Sequence, residues 1–369
     1  MATSPLSANE YEPMKDEASN TRQQRRRCGR FSRLTVILAS VALAIIVIAV
    51  AVGLGVGLTV GRGANNGSEP TSPTTPSTPG NNTSSGNSSI WQPAVGSTWQ
   101  IALLEPLELA AGATSTTPNV DIFDIDLFTN PNSTISTLHN LGKKVICYFS
   151  AGSYEPDRPD SSQFNATSIG KALDGWPNEK WVDIRSDNIR NIMAARIQLA
   201  SEKGCDAVDP DNVDGYVCHV AGFSLCLLTD HFEQNNANGL GLTMDDTISY
   251  MQFLSNKTAE YGLGLGLKNA GEVVPNVTSI VQFSVNEQCV QYKECATFAP
   301  LVAAGKPVFH IEYPSSAPSI SVKIANDFCS TTGSGAGSEN FSTLLKNMNL
   351  DGWVEYCDHS TANTTLNTS

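Results

Sequence analysis

Apolar and polar positions divide the 369 residues into three regimes. Leu34 to Val60 carries no charge and is rich in Val, Ala, Ile and Leu. At about 1.5 Å per residue such a run exceeds the roughly 20 residues that cross a bilayer, whereas a secretory signal core has only about 7–15. It reads as a transmembrane helix over residues 34–60, with a long signal segment as the alternative; the glycines from Gly53 to Gly61 offer no clear cleavage site. Gly63 to Ser89 consists almost wholly of Gly, Asn, Ser, Thr, Pro and Glu. No core can form from that composition, so residues 61–90 read as a stalk.

From residue 91 onward the pattern changes to short apolar runs separated by helical periodicity. Trp99 to Leu103, Val120 to Asp126, Val145 to Ser150, Cys205 to Val208, Leu263 to Leu267, Ile280 to Val285, Pro307 to Glu312 and Gly352 to Tyr356 are strand-like. Several are nearly continuous in apolar residues, as strands buried on both faces are. Asp187 or Asn188 is expected to cap a helix through Lys203, with Ile189, Ile192, Met193, Ile197 and Ala200 on one stripe. Thr243-x-x-Asp246 has the form of a capping box ahead of Ile248, Met251 and Leu254. Eight strands alternating with helices over about 280 residues predict an α/β fold, a (β/α)8 TIM-like barrel at 91–369. A doubly wound open sheet is the rival.

Charge orients this arrangement. Residues 1–33 are polar and carry Arg22, Arg25, Arg26, Arg27, Arg30 and Arg33, which places them in the cytoplasm and everything after Arg62 outside. The expectation is a single-pass, type II protein of the plasma membrane with an extracellular barrel. Eleven Asn-x-Ser/Thr sequons, from Asn66 to Asn367, agree with that side of the membrane. Of nine cysteines only Cys28 precedes the span; the other eight form an even set that an oxidising compartment would pair, with Cys289–Cys295 and Cys218–Cys226 close enough to close short loops. Zinc lacks a Cys-x-x-Cys or paired-His pattern, and no metal or cofactor is expected. Residues 1–62 hold 8 of the 23 basic and 4 of the 36 acidic side chains, so the remainder has a formal charge of −17. Such a domain disfavours nucleic acid. It is expected to act as a monomer.

Chemistry in a barrel of this kind sits at the C-terminal ends of the strands. Those ends hold Asp124 and Asp126, Tyr148 and Ser150, Asp209, Asp211, Asn212 and Asp214, Lys268 and Asn269, Asn286, Glu287 and Gln288, Glu312 and Tyr313, and Glu355 and Tyr356. An acidic turn is the plain reading of 206–214 taken alone, since Asp and Asn form turns readily. Repetition of acids at other strand ends argues for one carboxylate-rich mouth. A hard cation would need a calcium-type loop, which is absent. Paired carboxylates with aromatics and amides suit glycoside hydrolysis, in which one carboxyl protonates the leaving oxygen and the other attacks or activates water.

Val208-Asp209-Pro210-Asp211-Asn212-Val213-Asp214-Gly215-Tyr216, Gly266-Leu267-Lys268-Asn269, Val285-Asn286-Glu287-Gln288-Cys289 with Tyr292 and Glu294-Cys295, and Gly305-Lys306-Pro307-Val308-Phe309 with Glu312-Tyr313 resemble glycoside hydrolase family 114. The likeness covers about Trp91 to Cys357. It implies endo-α-1,4-polygalactosaminidase activity on partly deacetylated galactosaminogalactan, a cationic partner suited to an acidic mouth. Cys218 to Asn238 departs from the family by its length. Asp211 is expected as nucleophile, with Asp209 as alternative, and Glu287 as general acid/base. Lys268 and Asn269 bond sugar hydroxyls or hold a carboxylate; Asp126, Tyr148, Asn212, Asp214, Glu312 and Tyr313 are expected in subsites. A barrel that binds carbohydrate without cutting it is the alternative, although a binder has no need of Asp211 and Glu287 together.

Overall fold

The computed structural model describes residues 90–110, 112–216 and 238–368. The span over 34–60, the basic tail, the stalk and the Cys218 and Cys226 pair lie outside the described residues. Among the described residues no helix is long and apolar enough to cross a membrane.

The domain is an α/β, TIM-like fold. Its main sheet has ten strands; the first eight are parallel and in chain order: β1 (Trp99–Ala102), β2 (Ile122–Asp126), β3 (Lys144–Ser150), β7 (Ala207–Asp211), β8 (Gly264–Lys268), β9 (Phe283–Glu287), β10 (Val308–Glu312) and β11 (Ser342–Leu345). Then β12 (Trp353–Tyr356) and β13 (Thr361–Asn363) follow antiparallel. A separate three-stranded sheet, β4 (Ser153–Tyr154), β5 (Ile169–Leu173) and β6 (Trp176–Val182), lies in the β3-to-β7 connection.

The eighth parallel strand is therefore 342–345, and the expectation at Gly352 to Tyr356 is corrected. Ser342–Leu345 is a four-residue strand with only two buried apolar side chains to announce it. The more apolar 353–356 segment pairs with it antiparallel, Leu345 opposite Glu355. Neither Glu355 nor Tyr356 lines the mouth. The first strand lies against this end of the sheet through side chains: Trp99 Nε1 donates to Ser342 O at 2.8 Å, and Lys346 Nζ donates to Ile101 O at 2.7 Å.

Strand alternation builds two cores. Trp99, Ile101, Ile122, Ile146, Ala207, Phe283, Val285, Phe309, Ile311 and Leu344 form the inner one, with the Phe309 ring 5.0 Å from Trp99 and 5.6 Å from Phe283. Each large side chain so buried contributes about 1.5–3 kcal/mol. Gly266 makes room for them: a Cβ there would come 2.5 Å from the Phe283 ring. The alternate positions, Val145, Cys147, Phe149, Val208, Leu265 and Leu267, pack in the outer core with the helices.

The helices include α1 (Asn132–Asn140), α2 (Asp187–Lys203), α3 (Met244–Glu260) and α4 (Val322–Phe328), of which α2 and α3 are the two expected from the sequence. The stripe on α2 is buried, but its cap is neither Asp187 nor Asn188: it is Ser186, whose hydroxyl accepts from Asn188 N. Gly204, at φ 91°, ends α2 in the left-handed conformation that glycine adopts without a Cβ penalty. Thr243 and Asp246 form the expected capping box. Cys289–Cys295, Cys147–Cys205 and Cys329–Cys357 are disulfides. His310 lies beside Cys289 and Cys295, but sulfurs bonded to each other are not thiolate ligands.

Candidate active site

Three adjacent strands each end on an inward charged side chain, and each then turns out through a left-handed residue. Asp211, Lys268 and Glu287 close β7, β8 and β9; Asn212, Asn269 and Gln288 follow at φ 61°, 49° and 61°. Asn is among the few non-glycine residues that enter this region readily. The sharp exit leaves each terminal side chain standing at the mouth. Chain also approaches closely here: Ala151 and Gly152 donate their N–H groups to Asp211 O, and a Cβ on Gly152 would sit 1.6 Å from Asn212 O. Only glycine fits at that crossing.

Lys268 Nζ is 3.3 Å from Asp211 Oδ1 and 3.3 Å from Glu287 Oε2. Asp211 also accepts from the Tyr148 hydroxyl at 2.8 Å and from Asn212 N at 2.8 Å. Glu287 accepts from Asn269 Nδ2 at 3.0 Å and from the Tyr313 hydroxyl, while its own N–H donates to Asn269 Oδ1. Burial works to raise the Glu287 carboxyl, but Lys268 and the hydrogen bonds from Tyr313, Asn269 and Lys268 together hold it below the usual range. Burial works to lower the Lys268 ammonium, but Asp211 first, then Glu287, Asp209 and Asp124, together hold it well above the usual lysine range. Two carboxylates with fixed donors around one cation can supply an anion and a proton carrier.

These groups floor a cleft of about 660 Å³. Among the described residues its lining includes Asp126, Glu155, Asp174, Glu179, Asp211, Asp214, Glu272, Glu287 and Glu294, against Arg158 and Lys268. Nine acids to two bases make it a site for cations. Trp176, 54% exposed, and Trp181 stand on the β5–β6 hairpin wall, with Tyr292 and Tyr313 elsewhere around the cleft.

Residues 80–362 match the family model for glycoside-hydrolase family GH114. The chain belongs to glycoside hydrolase family 114. It is similar to the crystal structure of Aspergillus fumigatus Ega3 in complex with galactosamine, with 47% identity and a TM-score of 0.63, over 73% of this chain and 99% of that chain. The glycoside hydrolase domain of PelA from Pseudomonas aeruginosa is 14% identical, with a TM-score of 0.47, over 68% of this chain and 95% of that one. No curated protein sequence matches the chain.

As a family 114 glycosidase the protein places most of the expected residues at its cleft. Asp211, Glu287, Asn212, Asp214, Lys268, Asn269, Tyr148 and Tyr313 all line it. Asp126 does so too, but its carboxylate is occupied by Phe128 N, Thr129 N and Arg158, the last at 2.6 Å. Two expectations are corrected. Asp209 shares the inward face of β7 with Asp211 but lies two residues, about 6–7 Å, further back along the strand. It is fully buried and makes no part of the cleft. Glu312 has the wrong parity. Ile311 and Tyr313 belong to the inner core, so Glu312 falls on the other face, where it accepts from Val290 N at 2.7 Å and meets His310 Nε2 at 2.9 Å.

The family 114 cleft also uses residues that strand ends do not reveal: Glu155, Arg158, Trp176, Glu179 and Trp181, all from the β3-to-β7 connection. A signal for them exists in the sequence. Asp174-Gly175 between two short extended runs is a two-residue hairpin signature, and Gly175 has φ 79°.

Proposed function

We propose that this glycosidase is an endo-α-1,4-polygalactosaminidase that cuts partly deacetylated galactosaminogalactan. The observation that carries the reading is the Asp211–Lys268–Glu287 bridge set in a cleft of nine carboxylates. A polymer of α-1,4-linked galactosamine carries ammonium groups, which such a cleft concentrates and orients. Crystallisation of the similar Ega3 with galactosamine supports the same sugar.

In this reading Asp211 attacks the anomeric carbon while Glu287 protonates the departing glycosidic oxygen; Glu287 then takes a proton from the water that releases the sugar from Asp211. Each carboxylate has an oxygen 3.3 Å from Lys268 Nζ, so those oxygens are at most twice that distance apart. That ceiling includes the spacing of about 5–5.5 Å found in retaining enzymes and falls at the bottom edge of the 6.5–9.5 Å of inverting ones. Retention of configuration is the better match. One observation favours an exchange of the two roles: the donors that hold the Glu287 carboxyl low suit a nucleophile better than an acid.

The sheet is read as a (β/α)8 barrel whose circuit ends where β1 meets β11 and the 346–352 turn. Residues 1–33 are read as a cytoplasmic tail, 34–60 as the membrane anchor, 61–90 as the stalk and 91–369 as the extracellular catalytic domain. Three disulfides agree with an oxidising compartment. The sequon asparagines Asn132, Asn165, Asn256, Asn276, Asn340, Asn363 and Asn367 are all exposed, as acceptors of sugar must be.

The test is product analysis by mass spectrometry after the full chain is incubated with galactosaminogalactan, before and after chemical deacetylation. Internal cleavage that increases with deacetylation is expected. Absence of oligosaccharide from both polymers overturns the reading.

A further inference from the structure

We propose that Glu179, on the β5–β6 hairpin and not on the barrel, recognises an ammonium group of the substrate and makes this hairpin the specificity element of the cleft. The inference rests on the cationic substrate proposed above.

Charge pairing within the cleft leaves this residue without a direct partner of opposite charge, as it does Asp174 and Glu272. Of the three, only Glu179 is tied by hydrogen bonds to the strand end of Asp211. Asp126 and Glu155 share Arg158, at 2.6 and 2.7 Å, and Asp211 and Glu287 share Lys268. Glu179 is half-buried beside them, yet among the described residues no lysine or arginine forms an ion pair with it. Its Oε2 accepts from Ser153 Oγ at 2.8 Å, and among the described residues no donor bonds its Oε1. Burial first, then Glu155 and Asp211, lift the carboxyl to about 7 against the pull of Ser153 and, more weakly, of Arg158. Arg158 acts on this carboxylate only from a distance, and an arriving ammonium would give it a cation in direct contact.

The position of Glu179 is fixed relative to the reacting groups. Ser153 Oγ is 2.6 Å from Ser150 Oγ, and Ser150 Oγ accepts from Asn212 Nδ2 at 2.9 Å. Both serines are fully buried, and Ser150 is the register partner of Asp211. Through this chain of hydrogen bonds the hairpin carboxylate is tied to the strand end that carries the catalytic aspartate. Trp176, on the same hairpin, adds an exposed aromatic face against which the apolar side of a sugar ring can lie. The contrasting role is structural: Glu179 as a mere acceptor for Ser153, for which an amide would serve equally well.

Glu179→Gln separates the two, since it keeps an acceptor for Ser153 and removes the charge. Assayed in the full chain on partly deacetylated galactosaminogalactan, it is expected to raise KM about 10- to 100-fold, the worth of a hydrogen bond to a charged group. kcat should move far less, because the lost contact is made equally in ground and transition states. Mass spectra of the products should also change: one position beside the cut that holds only galactosamine in wild-type products should admit N-acetylgalactosamine. Wild-type KM and an unaltered product pattern overturn the inference while leaving the substrate reading intact; no cleavage by the wild type overturns both. Should the Gln variant fail to fold, Glu179→Asp, which withdraws the charge by one methylene, must show the same direction of change in KM, and its absence overturns the inference.

Discussion

Asp211 and Glu287, on strands separated by β8, are held by one and the same nitrogen, Lys268 Nζ, at 3.3 Å each. Lys268 is almost wholly buried, so the three charges act as a unit in which neither carboxylate has a cation of its own. Lys268→Met should therefore destabilise the fold and abolish cleavage together. Breaking a buried pair costs about 3–5 kcal/mol; the partial exposure of both carboxylates puts the expectation at or below the low end. The sign with pH follows from Glu287. Its folded-state pKa is lowered, so its stabilisation is present above the ordinary carboxylate range and is lost as pH falls through the folded value. Without Lys268 that loss begins at higher pH, and the midpoint of acid unfolding by circular dichroism should rise. An unmoved midpoint would mean that the lysine does not hold the pair.

Asp209 gives the opposite slope. It is fully buried, neither carboxylate oxygen has a hydrogen-bond partner, and burial lifts it to about 7, with Asp211 and Glu287 adding to the rise and Lys268 opposing it. A raised carboxyl binds its proton more tightly folded than unfolded, so stability declines as pH climbs from about 4 to 7, with a limiting slope of about 1.4 kcal/mol per unit. Asp209→Asn should flatten that decline in urea titrations and raise stability at neutral pH, with cleavage retained. A variant no more stable than wild type at neutral pH would show that Asp209 is ionised and satisfied.

These two residues also mark how far the sequence could be read. Alternation puts Asp209 and Asp211 on one face, and only depth along the strand separates the buried one from the one at the mouth. The Val208-Asp209-Pro210-Asp211 run carries no sign of depth. Glu312 was misplaced for a related reason: the strand end was legible, but a shift of one residue in parity turns a cleft residue into an outer-core one. The parallel strands were legible because burial on both faces writes them as apolar runs, and β11 was not because four residues write too little. Hairpin β5–β6 lies well past the end of β3, within the connection to β7, so a search confined to the strand ends themselves passes over Glu179.

Steering by charge should be visible in salt. Exposed charges are screened beyond about 8 Å at physiological ionic strength, so kcat/KM on deacetylated polymer should fall as salt rises. N-acetylation of the polymer should lower the rate and remove the salt effect. Equal rates across salt and acetylation would take electrostatics out of recognition.

Topology has its own check. If the Arg-rich end lies inside, as proposed, protease added to intact cells should reach the catalytic domain, and glycosidase treatment should lower its apparent mass through the exposed sequons. A protected domain without glycans would reverse the orientation.

Asp211→Asn and Glu287→Gln keep size and most hydrogen bonding, so each should fold and lose cleavage, by about 10²- to 10⁴-fold for the proton carrier and more for the nucleophile. Loss alone does not tell the roles apart, because both carboxylates are held by Lys268, a tyrosine hydroxyl and an amide N–H. Azide does. In a retaining enzyme, Asp211→Ala opens the face from which the nucleophile attacks, and azide entering there should leave a glycosyl azide of inverted anomeric configuration. With Glu287→Ala the covalent intermediate still forms on Asp211, and azide attacks it in place of water, giving a product of retained configuration. The reverse pattern, inversion from Glu287→Ala and retention from Asp211→Ala, would assign the nucleophile to Glu287, as its lowered pKa favours. Full activity in either Asp211→Asn or Glu287→Gln would remove that residue from the reaction, whatever its distance from Lys268.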